Sequence, residues 1–257
     1  MHERRLYAHR GASAERPENT LPAFERAVEI GVDALELDVH ATKDGVLIVS
    51  HDATASRMCG APAAWADVDL VEAQRYDAGW GFVAPDGSRP YAGQGITVPT
   101  FEAVLTAFPD HVLNVDLKGA GDRAVDLALA LIAREHAEAR VTLASFSVRT
   151  LIAVRRRKYA GETGLARAEM AALVALPAVA WRALPYTGSA AQIPTHQGPI
   201  RLDRAPFIAK CHSVGLRVDF WTIDDPAEAG RLLALGADGI MTNDPAALVS
   251  LFRDAPR

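Results

Sequence analysis

A (β/α)8 TIM barrel is the fold class that the sequence predicts, and three observations predict it. Short runs of β-branched and apolar residues alternate with amphipathic helical stretches, as parallel βαβ units do. Glycines and prolines fall at the ends those periodicities require. The 257 residues match the length of one barrel, about 250 residues. An open doubly wound sheet would carry a glycine-rich phosphate turn after its first strand, and His9-Arg10-Gly11 is not one.

Strands are expected at Leu6–Ala8, Ala34–Val39, Val112–Leu117, Val141–Ser145, Arg217–Thr222 and Gly239–Thr242, with weaker ones near Thr163–Leu165 and Gln192–Pro194 to complete eight. Helices are expected at Leu21–Ile30, Phe101–Phe108, Arg123–His136, Val148–Tyr159, Arg204–Val214, Pro226–Leu235 and Pro245–Phe252. Thr20 precedes the first as an N-cap, Asp244 caps the last with proline behind it, and Gly31, Gly215 and Gly236 sit at C-termini. Residues 53–98 break the alternation. They are rich in Gly, Pro and Asp, carry Trp65, Tyr76, Trp80, Phe82 and Tyr91, and read as a small insertion within one domain spanning 1–257. The segment from Pro194 to Pro206 fits either a rim loop or a plain connection.

Composition narrows the function. With 49% hydrophobic and 23% charged residues the chain is an ordinary globular one. A net charge of −5, without a long Lys or Arg run, gives no footprint for nucleic acid. Cys59 and Cys211 have no metal-ligand spacing. No apolar run is long enough for a membrane span or a signal peptide, so a cytoplasmic protein without membrane insertion is expected. The oligomeric state is left open.

Two strands carry polar interruptions. Glu36 and Asp38 are two residues apart and project to one side, and burying both carboxylates in a barrel calls for a cation. A charged strand end is the plainer alternative. Asn114, Asp116 and Lys118 repeat the pattern on a second strand, where a surface ion pair would be the plain reading. Barrel sites lie at the C-terminal ends of strands, where both sets would meet. His9 and His51 follow strand-like runs and could divide the work of proton donor and acceptor. His40 shares the parity of Glu36 and Asp38, so it either lines the site or lies past the strand end. Arg10 offers a planar fork for phosphate oxygens and Lys118 a point charge. Together these groups describe displacement at a phosphate ester.

Several motifs occur in the order of a known family. His9-Arg10-Gly11 with Pro17-Glu18-Asn19-Thr20, Glu36-x-Asp38, Thr42-x-Asp44-Gly45 and His51-Asp52 are followed by Pro99-Thr100-Phe101, Asn114 to Lys118, Ser145-Phe146, Trp221-Thr222 and Gly236 to Ile240. Over nearly its whole length the sequence resembles the glycerophosphodiester phosphodiesterases. The resemblance implies a TIM barrel with a small insertion after the second strand, which cleaves a glycerophosphodiester to glycerol 3-phosphate and an alcohol. It makes His9 and His51 the acid/base pair and Glu36, Asp38 and Asp116 the ligands of a divalent metal ion, Mg2+ or Ca2+. Arg10 and Lys118 would face the phosphate, with Glu18, Asn19, Phe146 and Trp221 supporting or lining the substrate site. One departure stands out: the third ligand position usually carries Glu, and this chain has Asp116, one methylene shorter. A lysophospholipase D-like or phosphoinositide-directed activity, or a non-catalytic barrel that binds glycerophosphodiesters, are the alternatives.

Overall fold

The computed structural model describes residues 2–119, 121–181 and 188–253. Its strands are β1 (Arg5–His9), β2 (Ala34–Ala41), β3 (Leu47–Val49), β4 (Val112–Leu117), β5 (Val141–Ala144), β6 (Ala190–Ile193), β7 (His196–Gln197), β8 (Ile200–Arg201), β9 (Arg217–Phe220) and β10 (Gly239–Thr242). Seven of them form one sheet in the order β5-β4-β2-β1-β10-β9-β6, every neighbouring pair parallel. The sheet curls until its outer strands approach each other, and Thr163 and Gly164 bridge them, pairing with Leu143 of β5 and Ala190 of β6. The result is a TIM-like α/β barrel.

Alternation along each strand sorts the side chains. Leu6 and Ala8, then Leu35, Leu37 and Val39, then Leu113, Val115 and Leu117 join the main hydrophobic core, together with Phe24, Phe101, Val125, Ile208 and Leu232 from the surrounding helices. Residues of the opposite parity face the barrel interior. Tyr7, Arg217 and Asp219 form a buried polar layer there, with Arg217 Nη2 donating to the Tyr7 hydroxyl and to Asp219 Oδ1, both at 2.9 Å. A side chain at Gly239 would collide with Asp219, so glycine is required to admit the carboxylate.

Sequence and structure part company in several places. The expected strand at Thr163–Leu165 is reduced to its two bridging residues. The strand expected at Gln192–Pro194 begins two residues earlier, at Ala190. The strand-like run before His51, Leu47–Val49, pairs antiparallel with β2 and stands outside the barrel's parallel strands. Two short helices, Pro245–Leu248 and Ser250–Arg253, replace one expected at Pro245–Phe252. Thr20 stands at the N-cap of Leu21–Ile30, but its hydroxyl donates to the Pro17 carbonyl at 2.6 Å and makes no cap bond.

Helices at Arg167–Ala175 and Ala178–Trp181 were not expected. The stretch from Pro194 to Pro206 holds the β7–β8 hairpin, turned through Gly198. Asp244 caps as expected, accepting from the Ala247 amide at 3.1 Å. Residues 53–98 build a separate small core of Ala55, Met58, Trp65, Val68, Ala73 and Ala78 against Ile48 and Val98, beside the barrel mouth. Among the described residues no helix is long and apolar enough to cross a membrane.

Candidate active site

Strand register assembles the site before any loop contributes. In a parallel pair, residues opposite each other point the same way. His9 of β1 is opposite Glu36 of β2, and Asp38 of β2 is opposite Asp116 of β4. Four polar side chains therefore share the interior face at the strands' C-terminal ends, where barrels of this kind keep their chemistry. Glu36, Asp38 and Asp116 are all buried.

Cations compensate this burial in part. Lys118 Nζ lies 3.1 Å from Asp38 Oδ1 and 2.7 Å from Asp116 Oδ2. Arg10 Nε lies 3.4 Å from Asp38 Oδ2, and Asn19 Nδ2 donates to the same oxygen at 3.0 Å. Burial pushes the Asp38 carboxyl up, but Lys118, Arg10 and Asn19 outweigh it and hold the group below its ordinary value. Asp116 is raised by burial despite Lys118. Glu36 is raised well above its usual range, first by burial and then by Asp38, although the Arg10 amide donates to Oε2 at 3.0 Å.

Two observations fit this trio to a hard divalent cation. Asp116 Oδ1 is buried with no hydrogen-bond partner, an expensive condition that a cation would relieve. All three side chains offer carboxylate oxygens, the donors that Mg2+ and Ca2+ prefer. Among the described residues no three of His, Cys, Asp or Glu form a ready-made cage. The Lys118 ammonium stands between two of the carboxylates instead. The Asp116–Lys118 pair is thus real but largely buried, not a surface pair.

The two histidines are fixed differently. Asn243 Nδ2 and its backbone amide both donate to the Asp224 carboxylate, at 2.9 and 2.7 Å, so Asn243 must turn Oδ1 toward His9. His9 Nδ1, 2.8 Å away, is therefore the protonated nitrogen, and Nε2 is left with its lone pair, 3.9 Å from Glu36 Oε2. Burial, then Arg10, lowers the His9 pKa and keeps the ring neutral. His51 Nδ1 donates to Asp52 Oδ1 at 2.8 Å. Asp52 Oδ2 accepts from Arg57 Nε at 2.6 Å, Arg57 forks onto both oxygens of Glu18 at 2.7 Å each, and Glu18 Oε1 accepts from Arg10 Nη1 at 3.1 Å. One run of charged groups thus connects His51 to Asp38. Burial raises Glu18, and the two arginines more than cancel it, leaving the group below its ordinary value.

His40 does not join the carboxylates. Its Nε2 donates to the His51 carbonyl at 3.1 Å and props that loop. Phe146 and Trp221 meet edge to face, 5.9 Å apart, and Lys118 Nζ lies 5.1 Å from the Phe146 ring centre. A cavity of about 330 Å3, with Ser13, Pro17, Glu18, Arg57, Met58 and Phe82 in its wall, opens between the first loop and the 53–98 segment. Direct contacts thus link the eleven residues assigned to the site in the sequence, some through Asp52 and Arg57, into one group around Asp38 and Lys118. Asn243, Asp224, Asp52 and Arg57 were missed. Asp52 alone had a signal, as the neighbour of a singled-out histidine.

A family model for the glycerophosphoryl diester phosphodiesterase family matches residues 9–247. The chain belongs to that family. A Caldanaerobacter subterraneus glycerophosphodiester phosphodiesterase is 32% identical over 254 residues, covering 96% of this chain and 97% of that protein. The structure of an Oleispira antarctica phosphodiesterase in complex with the product sn-glycerol-3-phosphate superposes with a TM-score of 0.78 at 21% identity, covering 96% of this chain and 95% of that one. A glycerophosphodiester phosphodiesterase from Agrobacterium tumefaciens superposes with a TM-score of 0.75 at 23% identity, over 96% and 99% of the two chains. Family membership and the barrel agree, and the likeness extends along the chain.

Proposed function

We propose that this protein hydrolyses glycerophosphodiesters to glycerol 3-phosphate and an alcohol, with His9 and His51 exchanging protons and Glu36, Asp38 and Asp116 holding a divalent cation. The residue 53–98 segment is then an insertion that borders the alcohol side of the site. The observation that carries the reading is the pair of histidines, each held through Nδ1 by a side-chain oxygen, beside three buried carboxylates. A bound divalent cation would supply positive charge to a phosphate oxygen and acidify a nearby hydroxyl.

The protein's own groups do the rest. Arg10 and Lys118 bring a guanidinium and an ammonium to the other phosphate oxygens, through the donors that Glu18, Asp38 and Asp116 do not hold. His9, neutral and with Nε2 free, takes the proton of the attacking hydroxyl, either the glycerol's own or that of water. His51 gives a proton to the departing alcohol from Nε2, with Asp52 bracing the ring from behind. If a cyclic phosphate forms first, water opens it with the two roles reversed. The Phe146 ring, backed by Trp221, lies over Lys118 and lowers the dielectric on that side of its charge. A non-catalytic binder would need neither fixed tautomer.

Turnover of glycerophosphocholine, with and without EDTA and beside His51→Ala and Asp38→Ala, tests the reading. Chelation and each substitution should abolish glycerol 3-phosphate release, and unchanged turnover in any arm overturns the scheme. A chain-bearing alcohol is a second reading, supported by the apolar wall of Met58, Phe82 and Val83 in the cavity beside Glu18. Release of product from lysophospholipids alone would select it.

A further inference from the structure

A second cavity, of about 400 Å3, meets the site at Lys118 and His40, and its lining has a one-sided chemistry. Lys43, Arg123, Lys118 and His40 line it, and no carboxylate does. Lys118 turns its ammonium to Asp38 and Asp116, and His40 holds the His51 carbonyl, so the cavity shares two walls with the site described above. Lys43 and Arg123 are exposed, and neither has a carboxylate within ion-pair distance among the described residues. The nearby Asp44 carboxylate is turned to the Thr42 hydroxyl and the Leu70 amide, and Arg123 reaches only the Asp44 carbonyl, at 3.4 Å. Gly45, at φ +87, has no side chain where the Arg123 guanidinium passes, so the arginine can lie along the cavity. The helix Asp122–Arg134 begins at the same rim behind Gly121, which offers no side-chain oxygen to its leading amides.

We infer that this cavity receives a second anionic group of the substrate, a phosphate carried on the leaving alcohol. The inference rests on the phosphodiesterase reading. The glycerol half of a glycerophosphodiester carries hydroxyls alone, so a second negative charge can belong only to the alcohol. Two cations without a carboxylate in ion-pair contact, in a cavity that shares Lys118 with the site, disfavour the choline-type alcohols that a simple diester would release. They attract one that bears a phosphomonoester or a further phosphodiester. The preferred substrates are therefore bis-phosphorylated, with one phosphorus at the reacting centre and the other held by Lys43 and Arg123.

The test compares glycerophosphoglycerol with the same diester bearing a terminal phosphate on the departing glycerol, at constant ionic strength so that long-range steering is equal. The wild-type enzyme should turn over both and prefer the phosphorylated one in kcat/KM. Arg123→Ala and Lys43→Ala should leave glycerophosphoglycerol unchanged and lower kcat/KM for the phosphorylated diester by about tenfold each, the size of one charge-assisted contact. Arg156→Ala, at a remote exposed position, should alter neither. Failure to turn over either diester strikes the phosphodiesterase reading itself, whereas equal turnover of both, unaffected by the two variants, overturns only the second site. If inorganic phosphate inhibits the wild type competitively, and Arg123→Ala relieves it without any difference between the diesters, the cavity takes free phosphate and the substrate assignment falls.

Discussion

Removing the Asn243 side chain should disable the base while sparing the fold. Asn243→Ala deletes the acceptor that commits His9 Nδ1 to its proton, and with it the link to Asp224. A neutral hydrogen bond of this kind contributes about 1 kcal/mol net, so loss of the tautomer bias alone costs about fivefold in rate. The freed ring can also turn, and a misplacement near 1 Å costs up to about 100-fold. The expected fall in kcat/KM is therefore about 10- to 100-fold, mostly in kcat, because Arg10 and Lys118, the residues proposed to hold the phosphate, are untouched. The sign of the pH effect follows from the same bond. Asn243 raises the His9 pKa against the lowering by burial and Arg10, so its loss lowers that pKa further. A base works when unprotonated, so the acid limb of the kcat/KM profile should move to lower pH. Steady-state kinetics on glycerophosphocholine from pH 5 to 9, with a thermal melt to verify folding, measures both. An unchanged rate with an unchanged acid limb would refute the tautomer argument.

Other outcomes follow from equally local features. Arg217→Met takes the cation from the buried Asp219, leaving it only the Tyr7 hydroxyl at 3.2 Å, and should cost about 3–5 kcal/mol in chemical denaturation, as breaking a buried pair does; a loss under 1 kcal/mol would contradict the polar layer. Asp203 is buried beneath Arg201 and Arg231, which hold its pKa at about 2 against an ordinary 3.8. The shift converts to an upper bound of about 2.4 kcal/mol, reduced to about 1 because Arg201 and Arg231 are 50% and 39% exposed. The folded-state pKa is depressed, so this stability is fully present above pH 3.8 and lost as pH falls through about 2. Asp203→Asn should therefore lower the urea midpoint at pH 7, with the difference from wild type shrinking by about half near pH 3. Asp116→Glu restores the longer reach, and isothermal titration with Mg2+ and Ca2+ should show tighter binding. Weaker binding would mean that β4 has shifted to suit the shorter side chain.

Much of this site was legible because strand periodicity is strict. Polar residues at 36 and 38, and at 114, 116 and 118, interrupt runs that are otherwise apolar, and a period of two left them one shared side. Parity could not say which strands would be neighbours, so the Asp38–Asp116 pairing needed the register. Asn243 was invisible for another reason: its importance lies wholly in a partner 234 positions away. The Arg167–Ala175 helix escaped because its sequence is apolar on several sides, and without a stripe there is no period to detect. The bridge at Thr163 and Gly164 is only two residues long, so the sequence carried it as no more than a weak strand near Thr163–Leu165. Helix boundaries marked by Gly31 and Asp244 held because the left-handed turn and the cap are local chemistry.

The juxtaposition of β1 and β10 sets a clock on biogenesis. A ribosome makes His9 234 residues before Asn243, yet the imidazole's proton is assigned only when both are together. Half-made barrels therefore emerge with that proton unassigned, and the proposed base is set only when β10 docks beside β1.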